Sequence, residues 1–378
     1  MLPNKIFALI LLITWISTSV GASNDPYWTQ IDQRGSQPLP VSDGATTYYD
    51  GIAYIFGGLN GSYPNDNPVN YLYLFSLDTS TWVDLSGYPN APANRAEAMM
   101  FINMNKNKSE GLIVCGGRGP FRRMKDLTFS DCNIFNLIDG WNLLSQTTLQ
   151  RNLTNRSTEA INAFSSRKGK AYAYAGSSST MPMFINLPGA IQNNIIVYTP
   201  GKGWNQVKVW KHSLIPTPRA HHPIIYSEKL NILFTYGGYT KNPNGGTFTP
   251  GNYLEDFWSF NFNNKRWTNY TYASVNSPGK RDNTRLWVDD RKNRVWLFGG
   301  TNWEGVIFND LWYFTLETSK WTKVTSVVDP VPEPRFGTFF FSREIDNAIE
   351  CYIFGGSRGE FNSTVTNDMW KLTIPFSF

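Results

Sequence analysis

Val295-Trp296-Leu297-Phe298-Gly299-Gly300 is a short apolar run closed by two glycines, and the chain contains five echoes of it. They are Ile52-Ala53-Tyr54-Ile55-Phe56-Gly57-Gly58, Leu112-Ile113-Val114-Cys115-Gly116-Gly117, Ala171-Tyr172-Ala173-Tyr174-Ala175-Gly176, Leu233-Phe234-Thr235-Tyr236-Gly237-Gly238 and Cys351-Tyr352-Ile353-Phe354-Gly355-Gly356. Their spacing, about 60 residues, is that of a repeat architecture. Each is followed by a loop of variable length and a second run with apolar residues at alternate positions, such as Tyr73, Phe75 and Leu77, or Trp312, Phe314 and Leu316. A period of two belongs to a pleated strand with one buried face. After a short turn comes a tryptophan: Trp82, Trp141, Trp204, Trp267 and Trp321.

The sixth unit ends before its tryptophan arrives. Near the other end of the chain, however, Tyr27-Trp28-Thr29-Gln30-Ile31 has the form of the same outer strand with no partner ahead of it. If that strand completes the last unit, six sheets close into a ring and no edge is left unpaired. The predicted fold is therefore all-β, a six-bladed β-propeller of four-stranded antiparallel blades, closed by the N-terminal strand pairing into the last blade. Composition agrees. Of 378 residues, 41% are hydrophobic, 15% aromatic and 17% charged, with only 3 Cys, which excludes a disulfide scaffold or a disordered tail. The aromatics suit many short strands. A net charge of +5 is too slight for a protein that coats nucleic acid.

The Gly-Gly after an aromatic-ended strand, the downstream Tyr or Trp, the second Trp and the Pro-Arg pairs at Pro218-Arg219 and Pro334-Arg335 resemble the kelch repeat. The resemblance spans residues 23–378, read as a single propeller domain. Three departures stand out: Ala175-Gly176 for the doublet, Asn133 for the third-strand aromatic of unit two, and Asp43 where unit one would carry its arginine. The family is also similar to the propeller of galactose oxidase, whose copper site needs tyrosine, histidine and a cysteine joined to tyrosine. That set has no counterparts here residue by residue, so the resemblance implies no copper, and no cofactor is expected.

Lys5, the apolar run from Ile6 to Ile16 and the small residues from Ser17 to Ser23 have the layout of a secretory signal peptide, predicted to span 1–22. The run is shorter than the roughly 20 residues that cross a bilayer, and no later segment approaches that length. A secreted or luminal protein without a membrane span is expected. Sequons at Asn60, Asn107, Asn152, Asn155, Asn269 and Asn362 permit glycosylation. Cys115 and Cys132 fall on neighbouring strands, where they either bond in an oxidising compartment or miss each other through register; Cys351 reads as a small buried hydrophobe.

Catalytic signatures are missing: no Gly-x-Ser-x-Gly, no His-Glu-x-x-His, no Cys-x-x-Cys and no phosphate loop. The three histidines, His212, His221 and His222, lie in one stretch, and of the adjacent pair at most one faces a central channel. No metal site is expected. Arg95, Arg156, Arg219, Arg281 and Arg335 recur at the start of the inner strand of five units; repetition favours ion pairs or carbonyl contacts inside the ring. The loops 59–69, 118–129, 177–193, 239–255, 301–308 and 357–366 emerge at one end and form a binding surface in geometry. Its candidate contacts are Arg118, Phe121, Arg122, Arg123 and Lys125, with Tyr239, Trp303 and Arg358 from other loops. The expected function is a non-catalytic propeller, monomeric, that binds a protein or an anionic or neutral extracellular glycan, and no nucleic acid. The alternative is a carbohydrate-active or oxidative enzyme with its site at the channel mouth.

Overall fold

A computed structural model describes residues 24–61, 67–105, 108–120, 128–154, 156, 162–165, 167–177, 191–240, 253–271, 276–327, 330–359 and 364–378. Six antiparallel sheets follow one another along the chain. Blade one is built from Ala45–Tyr49, Ile52–Phe56, Leu72–Ser76 and Thr81–Asp84. Blade four repeats the pattern with Ile224–Ser227, Ile232–Tyr236, Phe257–Asn261 and Arg266–Asn269. In blade six, Phe339–Glu344, Ala348–Phe354 and Met369–Pro375 are joined by Tyr27–Gln30 as the fourth strand. Tyr27 lies opposite Thr373 and Gln30 opposite Trp370, so the two ends of the chain close the ring as the sequence predicts.

Blades are wedges, and the gaps between them widen away from the axis. The fourth-strand tryptophans fill those gaps in one repeating way: each packs on the residue just before the small-residue doublet of the preceding blade. Trp82 meets Phe354, Trp141 meets Phe56, Trp267 meets Tyr174, Trp321 meets Tyr236 and Trp28 meets Phe298, with ring centroids 4.8–5.4 Å apart. The one non-aromatic position of that series is Cys115, and there the Trp204 indole N–H points at the sulfur, 3.3 Å away. All six tryptophans are buried. Truncating one would cost about 3–5 kcal/mol, because a rigid joint cannot collapse around the hole.

The doublet glycines are placed by close approach. A Cβ on Gly237 would sit 2.4 Å from the Arg281 carbonyl of the next blade, and its φ is +57°. Ala175 accepts the same left-handed backbone, φ 54°, at the equivalent place in blade three. Cys115 and Cys132 face each other across the second and third strands of blade two and are bonded, with Cα atoms 4.1 Å apart. Cys351 is buried and free. One short helix, Thr148–Thr154, links blades two and three. Thr147 and Gln150 cap it reciprocally, hydroxyl to the Gln150 N–H and amide oxygen to the Thr147 N–H. No helix among the described residues is long and apolar enough to cross a membrane.

Candidate binding site at the mouth of the ring

Each inner strand begins at the end of the ring where the Gly-Gly turns lie. Its repeated arginine reaches back to the doublet of its own blade and to a side chain just before the third strand. Arg219 donates to the Gly237 carbonyl and grips Asp256 through two bonds of 2.6 Å. Arg95 holds Gly116 and Asp131, Arg281 holds Gly299 and Asp310, and Arg335 holds Gly355 and Asp368. The carboxylate is steadied in turn by an N–H two residues on, from Trp258, Trp312 or Trp370. In blade two Asn133 stands in for the tryptophan and supplies the same donor to Asp131. Burial opposes the negative charge, but Arg95 and Arg335 outweigh it and hold Asp131 and Asp368 below the usual carboxylate range.

Two blades differ. Arg156 bonds to the Ala175 carbonyl but finds Asn194, not an aspartate. In blade one the arginine position is Val41: its carbonyl accepts from the Gly356 N–H as the Arg95 carbonyl does from Gly58. The sequence pattern places Asp43 there, whereas in the structure Asp43 lies two residues further along. The reason is backbone conformation. Asp43, Glu97, His221, Asn283 and Gly337 occupy one equivalent position and all are left-handed, φ 52–65°. Asp, Asn and Gly tolerate that region, a cue present in the sequence once the offset is known.

These residues link blade to blade around the axis. Asp43 N–H donates to Gly337, Glu97 N–H to Asp43 and Asn283 N–H to His221, at 2.7–2.9 Å. The residue after each doublet, among them Arg118, Tyr239 and Thr301, bridges to the residue just before this ring. Arg118 and Tyr239 thus lie inside the mouth, each 6% exposed, and not out on the loops. Arg118 Nε donates to the buried carboxylate of Glu97. The Tyr239 hydroxyl is 3.2 Å from His221 Nε2, and His221 Nδ1 is 3.5 Å from Asp282. Burial raises the Asp282 carboxyl, with His221 pulling the other way. Asp282 Oδ1 and Asn283 Oδ1 are buried and have no hydrogen-bond partner among the described residues. His222 faces away: its Nε2 bonds to the Tyr174 carbonyl, and burial with Arg219 nearby keeps it neutral. Behind the ring, the channel holds a cavity of about 460 Å³ lined by Thr46, Glu228, Arg285, Thr338 and Arg343.

Of the other contacts read from the sequence, Trp303 is 43% exposed with its ring 6.3 Å from Tyr253, and Arg358 pairs with Glu333 at 2.5 Å. Phe121, Arg122, Arg123 and Lys125 lie outside the described residues, as do the sequons at Asn107, Asn155 and Asn362. Asn152 is exposed, Asn60 and Asn269 half-buried. No cluster of three or more His, Cys, Asp or Glu suited to a metal occurs among the described residues. Acceptors dominate the mouth, so a donor-rich or cationic group is what it can take up.

A ring of six four-stranded blades with paired glycines, interblade tryptophans and Arg–Asp clasps defines a kelch-type propeller. The chain belongs to the kelch-repeat family: residues 162–376 match the KLHDC2/KLHL20/DRC7 Kelch-repeats domain. Kelch domain-containing protein 10 of Mus musculus is 24% identical over 358 residues, covering 90% of this chain and 72% of that one. Host cell factor homolog hcf-1 of Caenorhabditis elegans is 24% identical over 163 residues, 40% of this chain and 20% of that protein. Host cell factor 2 of Homo sapiens is 28% identical over 190 residues, 46% and 23% respectively. The chain therefore spans about a fifth of the host cell factor proteins.

Proposed function

We propose that this is a secreted, non-catalytic, monomeric kelch propeller that binds a protein or an extracellular glycan at the end of the ring carrying the Gly-Gly turns. The observation that carries the reading is the pair of orphaned acceptors, Asn283 Oδ1 on the left-handed ring around the axis and Asp282 Oδ1 just before it. Buried acceptors left without donors cost about 1–3 kcal/mol each, which a bound N–H or ammonium group would recover. Exposed Trp303 nearby offers the apolar contact that such sites use. The apolar leader and the bonded Cys115–Cys132 pair support export, since disulfides persist in oxidising compartments.

The test is a binding array of extracellular proteins and glycans, repeated with Asp282→Asn, Trp303→Ala and the Arg122→Ala/Arg123→Ala pair. Loss of the bound partner in Asp282→Asn or Trp303→Ala at unchanged melting temperature supports the site, whereas binding that survives every change removes it. One observation favours the second reading, an enzyme at the mouth: the row Tyr239–His221–Asp282 is a hydrogen-bonded acid-base chain. Turnover of a glycoside or alcohol panel that His221→Asn abolishes would replace the first reading with the second.

A further inference from the structure

Charge is unevenly spread around the ring. Residues 140–227, from the last strand of blade two through blade three to the first strand of blade four, carry nine Lys and Arg against a single acid, Glu159. The chain as a whole has an excess of only five positive charges, so the rest of it is net acidic by three. From 160 to 227 there is no acidic residue at all.

Part of this charge is gathered on an outer edge. After the fourth strand of blade three, Gly203–Gln206, the chain runs along the fourth strand of blade four before turning inward. Two bonds pin it there: Trp210 N–H to the Lys265 carbonyl and Trp267 N–H to Ser213 Oγ, both 2.8 Å. The strap carries Lys208, Trp210, Lys211 and His212, and the strand beneath adds Lys265 and Arg266. The Arg266 guanidinium lies 5.3 Å from the centre of the Trp210 ring and the His212 ring 6.2 Å away, yet the indole is still 44% exposed. Lys208, Lys211, Lys265 and Arg266 are exposed and make no ion pair among the described residues. Some cations elsewhere on the surface are paired, Arg291 with Glu344, Arg343 and Lys371 with Glu350, and Arg358 with Glu333, so the edge is marked by the gathering of its cations and not by each being unpaired. The corresponding strap on blade one, Arg34–Gly35, has one cation and no tryptophan.

We infer that this edge of blades three and four binds a linear, sulfate-bearing polysaccharide. Four unneutralised cations fixed side by side repel one another and gain most from a partner that brings several anionic groups at once. The partner is linear because these cations are strung along a blade edge, over a strap that closes in a turn from Trp210 to Ser213, and do not surround a pocket. An exposed indole with the Arg266 guanidinium over its ring stacks on a sugar ring, which has an apolar face, while sulfates meet the lysines. The choice of a glycan over a nucleic acid rests on the proposed export of the protein and on its formed disulfide.

The experiment compares the protein without residues 1–22 on immobilised heparin, on unsulfated hyaluronan and on a single-stranded DNA 20-mer, across a salt series. The expected result is selective heparin binding at 0.15 M salt that falls steeply as salt rises. Lys208→Ala/Lys211→Ala should weaken it about tenfold and flatten the salt dependence. Trp210→Ala should weaken it about threefold with the salt dependence unchanged, as loss of an uncharged stacking contact does. Lys320→Ala/Lys323→Ala on blade five removes the same charge elsewhere and should change affinity less than about twofold. Equal losses in the two double variants, or no heparin binding, would overturn the surface; equal or tighter DNA binding would overturn the ligand class. Export is read separately, from leader cleavage in protein recovered from the medium, so failure of that reading is distinct from failure of the surface.

Discussion

Blades three and four hold the same arginine in the same place with different partners. In blade four, Asp256 forks Arg219, and although burial works against the positive charge, the carboxylate outweighs it and keeps the guanidinium above its ordinary value. In blade three the fork is gone. Arg156 is equally buried, has carbonyls of Leu153 and Ala175 and one amide oxygen of Asn194, and burial alone pulls it down to about 9. Blade one shows a third solution with no charge: Val41 packs with Val69 and Tyr71 in an apolar cluster. What the joint requires is to be filled and to leave no polar group stranded; an ion pair is one way among three.

The comparison can be broken most forcefully at Arg219. Arg219→Ala strands Asp256 and the Gly237 carbonyl and should cost about 3–5 kcal/mol, whereas Arg156→Ala, which strands no charge, should cost about 1–3 kcal/mol. Equal losses in urea denaturation would mean that the carboxylate adds nothing. Next in size is the staple beside blade three. Reducing Cys115–Cys132, which closes a loop of 17 residues, should lower stability by about 3 kcal/mol, seen as a drop in melting temperature with reductant. No drop would mean the thiols are not bonded in the protein as made.

Acid sharpens the contrast between paired and unpaired blades. Asp131 and Asp368 are held below the ordinary carboxylate value, so the unfolded chain takes up protons before the folded one. Their contribution is therefore whole above about pH 4 and drains away as pH falls through the lower folded values. Denaturation midpoints followed from pH 6 to pH 3 should fall, and Asp368→Asn should flatten that fall; an unchanged slope would contradict the pairing. The smallest effect is repair of blade three. Asn194→Asp gives Arg156 its carboxylate, and Ala175→Gly relieves a left-handed alanine, each raising stability by about 1 kcal/mol. A loss from Asn194→Asp in calorimetry would show that blade three is built around its amide.

Much of this was legible in the residues because propeller physics repeats. Six apolar runs ending in small residues, five tryptophans and a stray Trp28 give the blade number and the closure, and the recurring arginines fall where they clasp the ring. The mouth was harder to read. Asp43, Glu97, His221 and Asn283 share a backbone conformation and not a residue type, and Asp43 was set at the arginine position because no offset in the text separates the two. Arg118 and Tyr239 read as loop residues but follow their doublets directly, which turns them inward. The cationic edge was invisible for another reason: Lys208 and Trp210 are placed by Lys265 and Arg266, more than fifty residues later and in the next blade.

The strand that seals the ring, Tyr27–Gln30, is made long before its partner, Met369–Pro375, and is needed last. Until Met369–Pro375 has been synthesised it has nothing to pair with, and blade six waits with two strands. The ring thus stays open until Met369–Pro375 lies against Ala348–Phe354 and offers its other edge to Tyr27–Gln30, so closure reports that both segments are present.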